Sequence, residues 1–283
     1  MGTYHPPLSL VILGTIFIGL GLIASIVIGL DILLRRGWRS MMGIMIPVYL
    51  LNSLYLAPIT LWVYFSYGRP TKPERPSKST GEHQHGHCNP GGNGQLNHHD
   101  HMENKELEHG HDQSHGQHHS EVHGEGHHHM GGSSRPMFAT TTVAVCHCGA
   151  GCLLGDIVGE WLVYGTDAKI NGHRLWVAFL VDYGFALLFG IVFQYFSIAP
   201  MSGDYGPVTI WRSIKADFLS LTSFQIGLYG WMAIYQIPIW NFRLEVSNVV
   251  YWWMMQIGMF AGHWTAVPMN WLLIKFKVKE PCA

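Results

Sequence analysis

The stretch VAVCHCGAGCLLGDIVGEWLV, residues 143–163, is too apolar for a solvent-facing helix, yet it carries three cysteines, a histidine, an aspartate and a glutamate. At 1.5 Å per residue a helix of this length covers about 30 Å, the thickness of a bilayer's hydrocarbon core. An ionisable side chain at that depth costs at least about 2.5 kcal/mol on the insertion scale, so it faces the protein interior and serves a site or a pathway. Residues four apart share a helix face. Cys148, Cys152, Asp156 and Glu160 are spaced i, i+4, i+8 and i+12 and form one polar stripe. Cys146 points about 200° away from Cys148 on a regular helix. Glycines at 149 and 151 predict a local unwinding that lets Cys146, His147, Cys148 and Cys152 converge, since broken helices at bilayer depth line binding sites. Bare packing by small residues explains one or two of these cysteines, but not the carboxylates on the same face.

The rest of the chain agrees with a membrane setting. Only 12% of its 283 residues are charged and 11 are tryptophan, against a charged share of about 25% in soluble domains. Six windows are long and apolar enough to span: Leu8–Leu34, Met41–Phe65, Met137 to about Tyr164, Leu175 to about Ile198, Val208–Ile237, and about Val246 to Phe276. The expected fold is an all-α polytopic membrane bundle of about six transmembrane helices. Two helices occupy residues 1–66, a long loop 67–136, and a four-helix domain 137–283. The first window lacks a basic segment before it and is too long for a signal-peptide core. Six spans put both termini on one side, and the distribution of Lys and Arg, eleven against six, favours the cytoplasmic side.

The loop is of another kind. Fifteen of the chain's 19 histidines lie between His83 and His129, among proline, glycine, serine and charged residues that bury too little apolar surface to offset chain entropy. It is expected to be disordered. His83, His85, His87, His127, His128 and His129 are candidates for weak capture of transition-metal ions, because neutral imidazole is the commonest ligand for them.

The sixth window repeats the helical spacing with other donors: Met255, Met259 and His263 are i, i+4 and i+8. Thioether sulfur is a soft ligand suited to copper(I), although methionine is also a common gap-filler. Asp182 and Asp217 stand alone in apolar surroundings. Asp217 could pair with Arg212 or Lys215 near a membrane surface, and either aspartate could complete a cation path.

CHCGAGCLLGDIVGEW together with GMFAGHWTAVPMNWLLIKFKVKE resembles an uncharacterised multi-pass membrane family, the domain of unknown function 4396, over roughly residues 137–280. The resemblance implies a membrane domain with the Cys-rich signature in one helix and His263, Thr265, Pro268 and Asn270 in the last. It implies no activity.

Thiols leading to carboxylates suit a soft cation that is bound and then passed on. The leading expectation is therefore a membrane protein that binds and translocates a transition-metal ion through Cys146, His147, Cys148, Cys152, Asp156, Glu160, Asp182, Met255, Met259 and His263. Copper(I) comes first, then zinc or nickel. No ATP-binding motif occurs, so transport would be secondary or passive. Two alternatives stand beside it. One is a membrane oxidoreductase, with His147 and His263 as haem ligands or the CHC thiols as a redox pair. The other is a metal sensor or scaffold that moves nothing. The partners expected are the lipid bilayer and metal ions, with oligomerisation left open. A net charge of −1 without a basic patch points to no nucleic acid.

Overall fold

A computed structural model describes residues 5–35, 41–69 and 136–279. These form a helical bundle of six helices: α1 (Leu8–Leu34), α2 (Met45–Val63, extended by a π-helical turn, Tyr64–Gly68), α3 (Met137–Thr166), α4 (Leu175–Ser202), α5 (Pro207–Ile234, extended by a π-helical turn, Tyr235–Ile239) and α6 (Val249–Lys275). Four segments are long and apolar enough to cross a membrane: Leu8–Leu34, Met45–Gly68, Met137–Thr166 and Leu175–Pro200. α5 and α6 are as long, at 28 and 27 residues, but are not among these four segments. The metal-capture candidates His83, His85, His87, His127, His128 and His129 lie outside the described residues.

α2 departs from the expected single span. Its helix breaks at Leu56 (φ −122°, ψ 34°), two residues before Pro58. Proline lacks an N–H and its ring clashes with the carbonyl four residues back, here that of Leu54. The released Leu54 carbonyl accepts from Gln256 Nε2 of α6 at 2.6 Å, which satisfies it inside protein rather than lipid. Beyond the break the chain turns back. The rings of Tyr49 and Tyr64 pack edge to face 5.3 Å apart, although fifteen residues of straight helix would separate them by about 22 Å. Gly68 lies against the Tyr49 hydroxyl. Arg69 Nη2 and Tyr64 Oη donate to Asp31 at 2.6 and 2.9 Å. α2 is a re-entrant hairpin whose tip meets the middle of α1, where Gly21 abuts the Leu54 backbone.

This changes the expected topology. Both ends of the hairpin lie beside the end of α1, and α3 starts there too, with Phe138 against Trp62 and Trp264. The other helices alternate through the bundle, so residues 5 and 279 lie at opposite ends. The expectation of six full crossings, which would put both termini on one side, meets a break at Leu56 and Pro58 in the second window. Cysteines introduced at Gly43 and Ser66, in a background without Cys88 and Cys282, are expected to label from the same side of the membrane. A cysteine at Leu8 should label from the other. Labelling of positions 43 and 66 from opposite sides would show α2 to be a span.

α3 is the axis of the bundle, and most of its middle is buried. Its glycines set the spacing to α4: Gly151 meets the backbone of Gly190, Gly155 that of Ala186, and Gly159 the Asp182 side chain. Close helix contact through small residues is how membrane helices gain packing energy without a hydrophobic drive.

Candidate functional site: a polar line along α3

The α3 stripe faces inward over its whole length. Cys148, Cys152 and Asp156 are fully buried and Glu160 nearly so. Over twelve residues the line runs about 18 Å along the helix axis. It has a basic end and an acidic end.

At the basic end, Cys148 Sγ donates to Asp217 Oδ1 of α5 at 2.8 Å and lies 2.7 Å from Ser220 Oγ. Asn270 of α6 donates to Ser220 Oγ at 2.6 Å. The fifth member is Lys279, which closes the cluster from beyond α6. After Lys275 the chain turns through Lys277 in the left-handed region (φ 56°), and the N–H groups of Val278 and Lys279 both donate to Leu273 O. This turn sends the Lys279 side chain back into the bundle, fully buried. Its ammonium donates to Asn270 Oδ1 (2.9 Å), Ala144 O (3.1 Å) and Cys148 Sγ (3.4 Å), and lies 3.9 Å from Asp217 Oδ1. Asp217 thus faces α3 rather than serving only as a surface partner of Arg212 or Lys215. Sequence reasoning missed Lys279 because a lysine after an apolar run reads as a solvated flank.

At the acidic end three carboxyl groups gather. Glu160 accepts from the Tyr251 hydroxyl of α6, and Asp182 of α4 lies over Gly159 beside it. Among the described residues, the carboxylate oxygens of Asp156 and Asp182, the hydroxyls of Tyr229 and Tyr235 and the amide of Gln225 make no well-formed hydrogen bond. Glu160 and Tyr251 line a cavity of about 290 Å³ shared with Lys169, His173, Arg174 and Glu245. The rim is tied together by Asp167, which accepts from Lys169 (2.7 Å) and Arg174 (2.5 Å), and by Arg174 with Glu245 at 3.7 Å. Lys169 and Arg174 hold the Asp167 carboxyl below the usual carboxylate range. Its folded pKa is depressed, so its contribution is present above the unfolded pKa and lost as pH falls through the folded one. Asp167 is exposed and solvent screens it. Asp167→Asn is therefore expected to lower the unfolding midpoint only slightly at neutral pH and to match wild type in the acid range, where Asp167 is protonated, as a pH series of unfolding midpoints would show.

The remaining candidates divide. α3 runs as one regular helix from Met137 to Thr166, so the expected unwinding at CHCGAGC does not occur and the four ligands do not converge there. Cys146 packs against Val48, Ala150 and Phe193, while its carbonyl accepts from Asn52 at 2.7 Å. His147 is fully buried, and among the described residues neither ring nitrogen is bonded. Extending by one turn the register that pairs Gly151 with Gly190 brings it level with Gln194, another buried side chain without hydrogen bonds. Met255 and Met259 line a second cavity, about 210 Å³, with Asp156, Tyr55 and Gln256, which ties the methionine ladder to the α3 line. His263 is buried edge-on to Trp264, with both nitrogens unbonded among the described residues. Cys146, Cys148 and Cys152 are free thiols. Among the described residues no three His, Cys, Asp or Glu side chains are arranged to hold a metal ion. Tyr251, Ser220 and the hairpin residues Asn52 and Tyr55 carried no sequence signal, since an isolated tyrosine, serine or asparagine in an apolar run has many uses.

No curated protein and no solved structure shows significant similarity to the chain. One family profile matches, over residues 137–279, just over half of the chain, and covers α3 to α6 with both ends of the polar line. By that match the chain belongs to the family defined by the domain of unknown function DUF4396.

Proposed function

We propose that the protein carries a soft cation across the membrane along the inward face of α3, with copper(I) the first choice of cargo and zinc or nickel next. The observation that carries this reading is the continuity of the stripe. Thiols at Cys148 and Cys152 lead to Asp156 and then to Glu160, which lines a cavity at the end of the bundle. The buried carboxylate oxygens of Asp156 and Asp182 make no well-formed hydrogen bond among the described residues, and a carboxylate in that setting needs a proton or a cation to be tolerable. Passage of a cation with return of protons would use both states. Copper(I) is favoured because thiols and thioethers are soft donors, and Met255 and Met259 share a cavity with Asp156. The histidine-rich segment would supply the ion at low external concentration. In this reading Cys146 packs, and His147 and His263 stand beside the line rather than in it.

Silver(I), a redox-inert monovalent soft ion, tests the binding half. Cys148→Ser and Cys152→Ser are each expected to weaken silver binding by purified protein at least about tenfold, because serine hydroxyl is a harder, poorer ligand that does not readily ionise. Wild-type affinity in both variants would remove the thiols from the path.

A further inference from the structure

The buried Lys279 ammonium sits where a mobile cation would sit. Around it are a backbone carbonyl (Ala144), an amide oxygen (Asn270), a sulfur (Cys148) and a carboxylate (Asp217), contributed by α3, α5 and α6. Every one of these groups is an electron-pair donor, and Ser220 Oγ adds another within 2.7 Å of the sulfur. The second carboxylate oxygen, Asp217 Oδ2, is buried and has no hydrogen-bond partner among the described residues, so the cage retains a donor that the lysine does not use. The lysine itself comes from a short turn rather than from a helix. Two N–H groups on one carbonyl and a left-handed Lys277 hold it, and a non-glycine residue in that region is a strained, releasable conformation.

We propose that this cage is an exchangeable binding site for a monovalent soft cation at the basic end of the α3 line, and that the Lys279 ammonium is its tethered occupant, displaced when the ion enters. The inference rests on the proposed path along α3 and adds a gate to it. The exchange is of one positive charge for another, so the carboxylate of Asp217 stays compensated in the low-dielectric interior throughout. Displacement frees the turn after α6 and lets Lys279 reach water at that end of the bundle. Return of the ammonium expels the ion towards whichever side is open. A tethered competitor lowers apparent affinity by the fraction of time that it holds the site, which gives a carrier both selectivity and release.

The test uses full-length purified protein, silver(I) as the ion and a water-soluble amine-acylating reagent, with Lys279 modification read by peptide mass spectrometry. Saturating silver is expected to raise Lys279 acylation at least about tenfold, in proportion to the displaced fraction, and Cys148→Ser is expected to abolish the rise. Lys279→Leu is expected to bind silver more tightly by a similar factor. If that variant fails to fold, the acylation assay on wild-type protein still decides. Unchanged Lys279 reactivity with silver bound stoichiometrically would overturn the exchange. Uptake into vesicles separates this from the proposed function: silver-dependent release of Lys279 without any uptake would uphold the exchange and sink the carrier. Uptake with Lys279 locked would do the reverse.

Discussion

Gly151→Val is expected to prevent normal assembly of the bundle. A β-carbon at this position would lie 2.6 Å from both N and Cα of Gly190, well inside van der Waals contact. The obstruction is backbone, so no rotamer change relieves it, and α3 and α4 must move apart along their whole interface. Overpacking usually costs about 1–3 kcal/mol, and a backbone obstruction between two closely packed helices belongs at or above the upper figure. The same shift would move the stripe, because Cys148, Cys152 and Asp156 lie within one or two turns of Gly151 on the helix. Gly184→Ala is the matched control. It lies on the partner helix α4, but a β-carbon there has nothing within 4 Å, and a neutral to slightly stabilising effect is expected. Thermal unfolding of the two purified variants distinguishes them. Equal midpoints would mean that α3 and α4 are further apart than their glycines imply.

The second large effect concerns movement along the line. Asp156→Asn and Glu160→Gln preserve shape and remove the only carboxyl groups on α3 below the thiols. If a cation passes, each carboxylate offsets a positive charge that would otherwise be stranded at about 2.5–3.5 kcal/mol in the hydrocarbon region. By the Boltzmann factor that corresponds to roughly a hundredfold loss of flux. Silver binding at Cys148 and Cys152 should change far less, because the carboxylates lie one and two turns further on. Loss of flux with retained binding is the signature of a pathway residue. Equal loss of both would make the carboxylates structural. Tyr251→Phe, which removes the donor to Glu160, should give an intermediate flux.

Much of the architecture was legible in the sequence because lipid leaves few choices. Apolar runs of about 20 residues become helices, and the i, i+4 spacing of Cys148, Cys152, Asp156 and Glu160 put them on one buried face. Asp182 joined them because an isolated aspartate in an apolar helix has to face inward. What failed did so for identifiable reasons. The second apolar window meets the length criterion, yet Pro58 and the Leu56 break turn it into a hairpin. Hydropathy cannot see this, because a re-entrant arm is as greasy as a span. The glycines of CHCGAGC read as hinges, but their absent side chains are used for contact with α4 and with Tyr55, and the helix stays regular. Lys279 belongs to the site only through a three-residue turn, and no periodic pattern encodes that placement. The spacing of Met255, Met259 and His263 was read correctly as one face, though only the two methionines line a cavity with Asp156.

The central claim is that a cation moves along the inward face of α3. The most direct measurement is silver(I) flux into lipid vesicles containing only the purified protein. The account predicts saturable flux that exceeds protein-free vesicles and falls to background in the Asp156→Asn, Glu160→Gln double variant. Flux no greater than that of protein-free vesicles, from folded wild-type protein that binds silver, would contradict it.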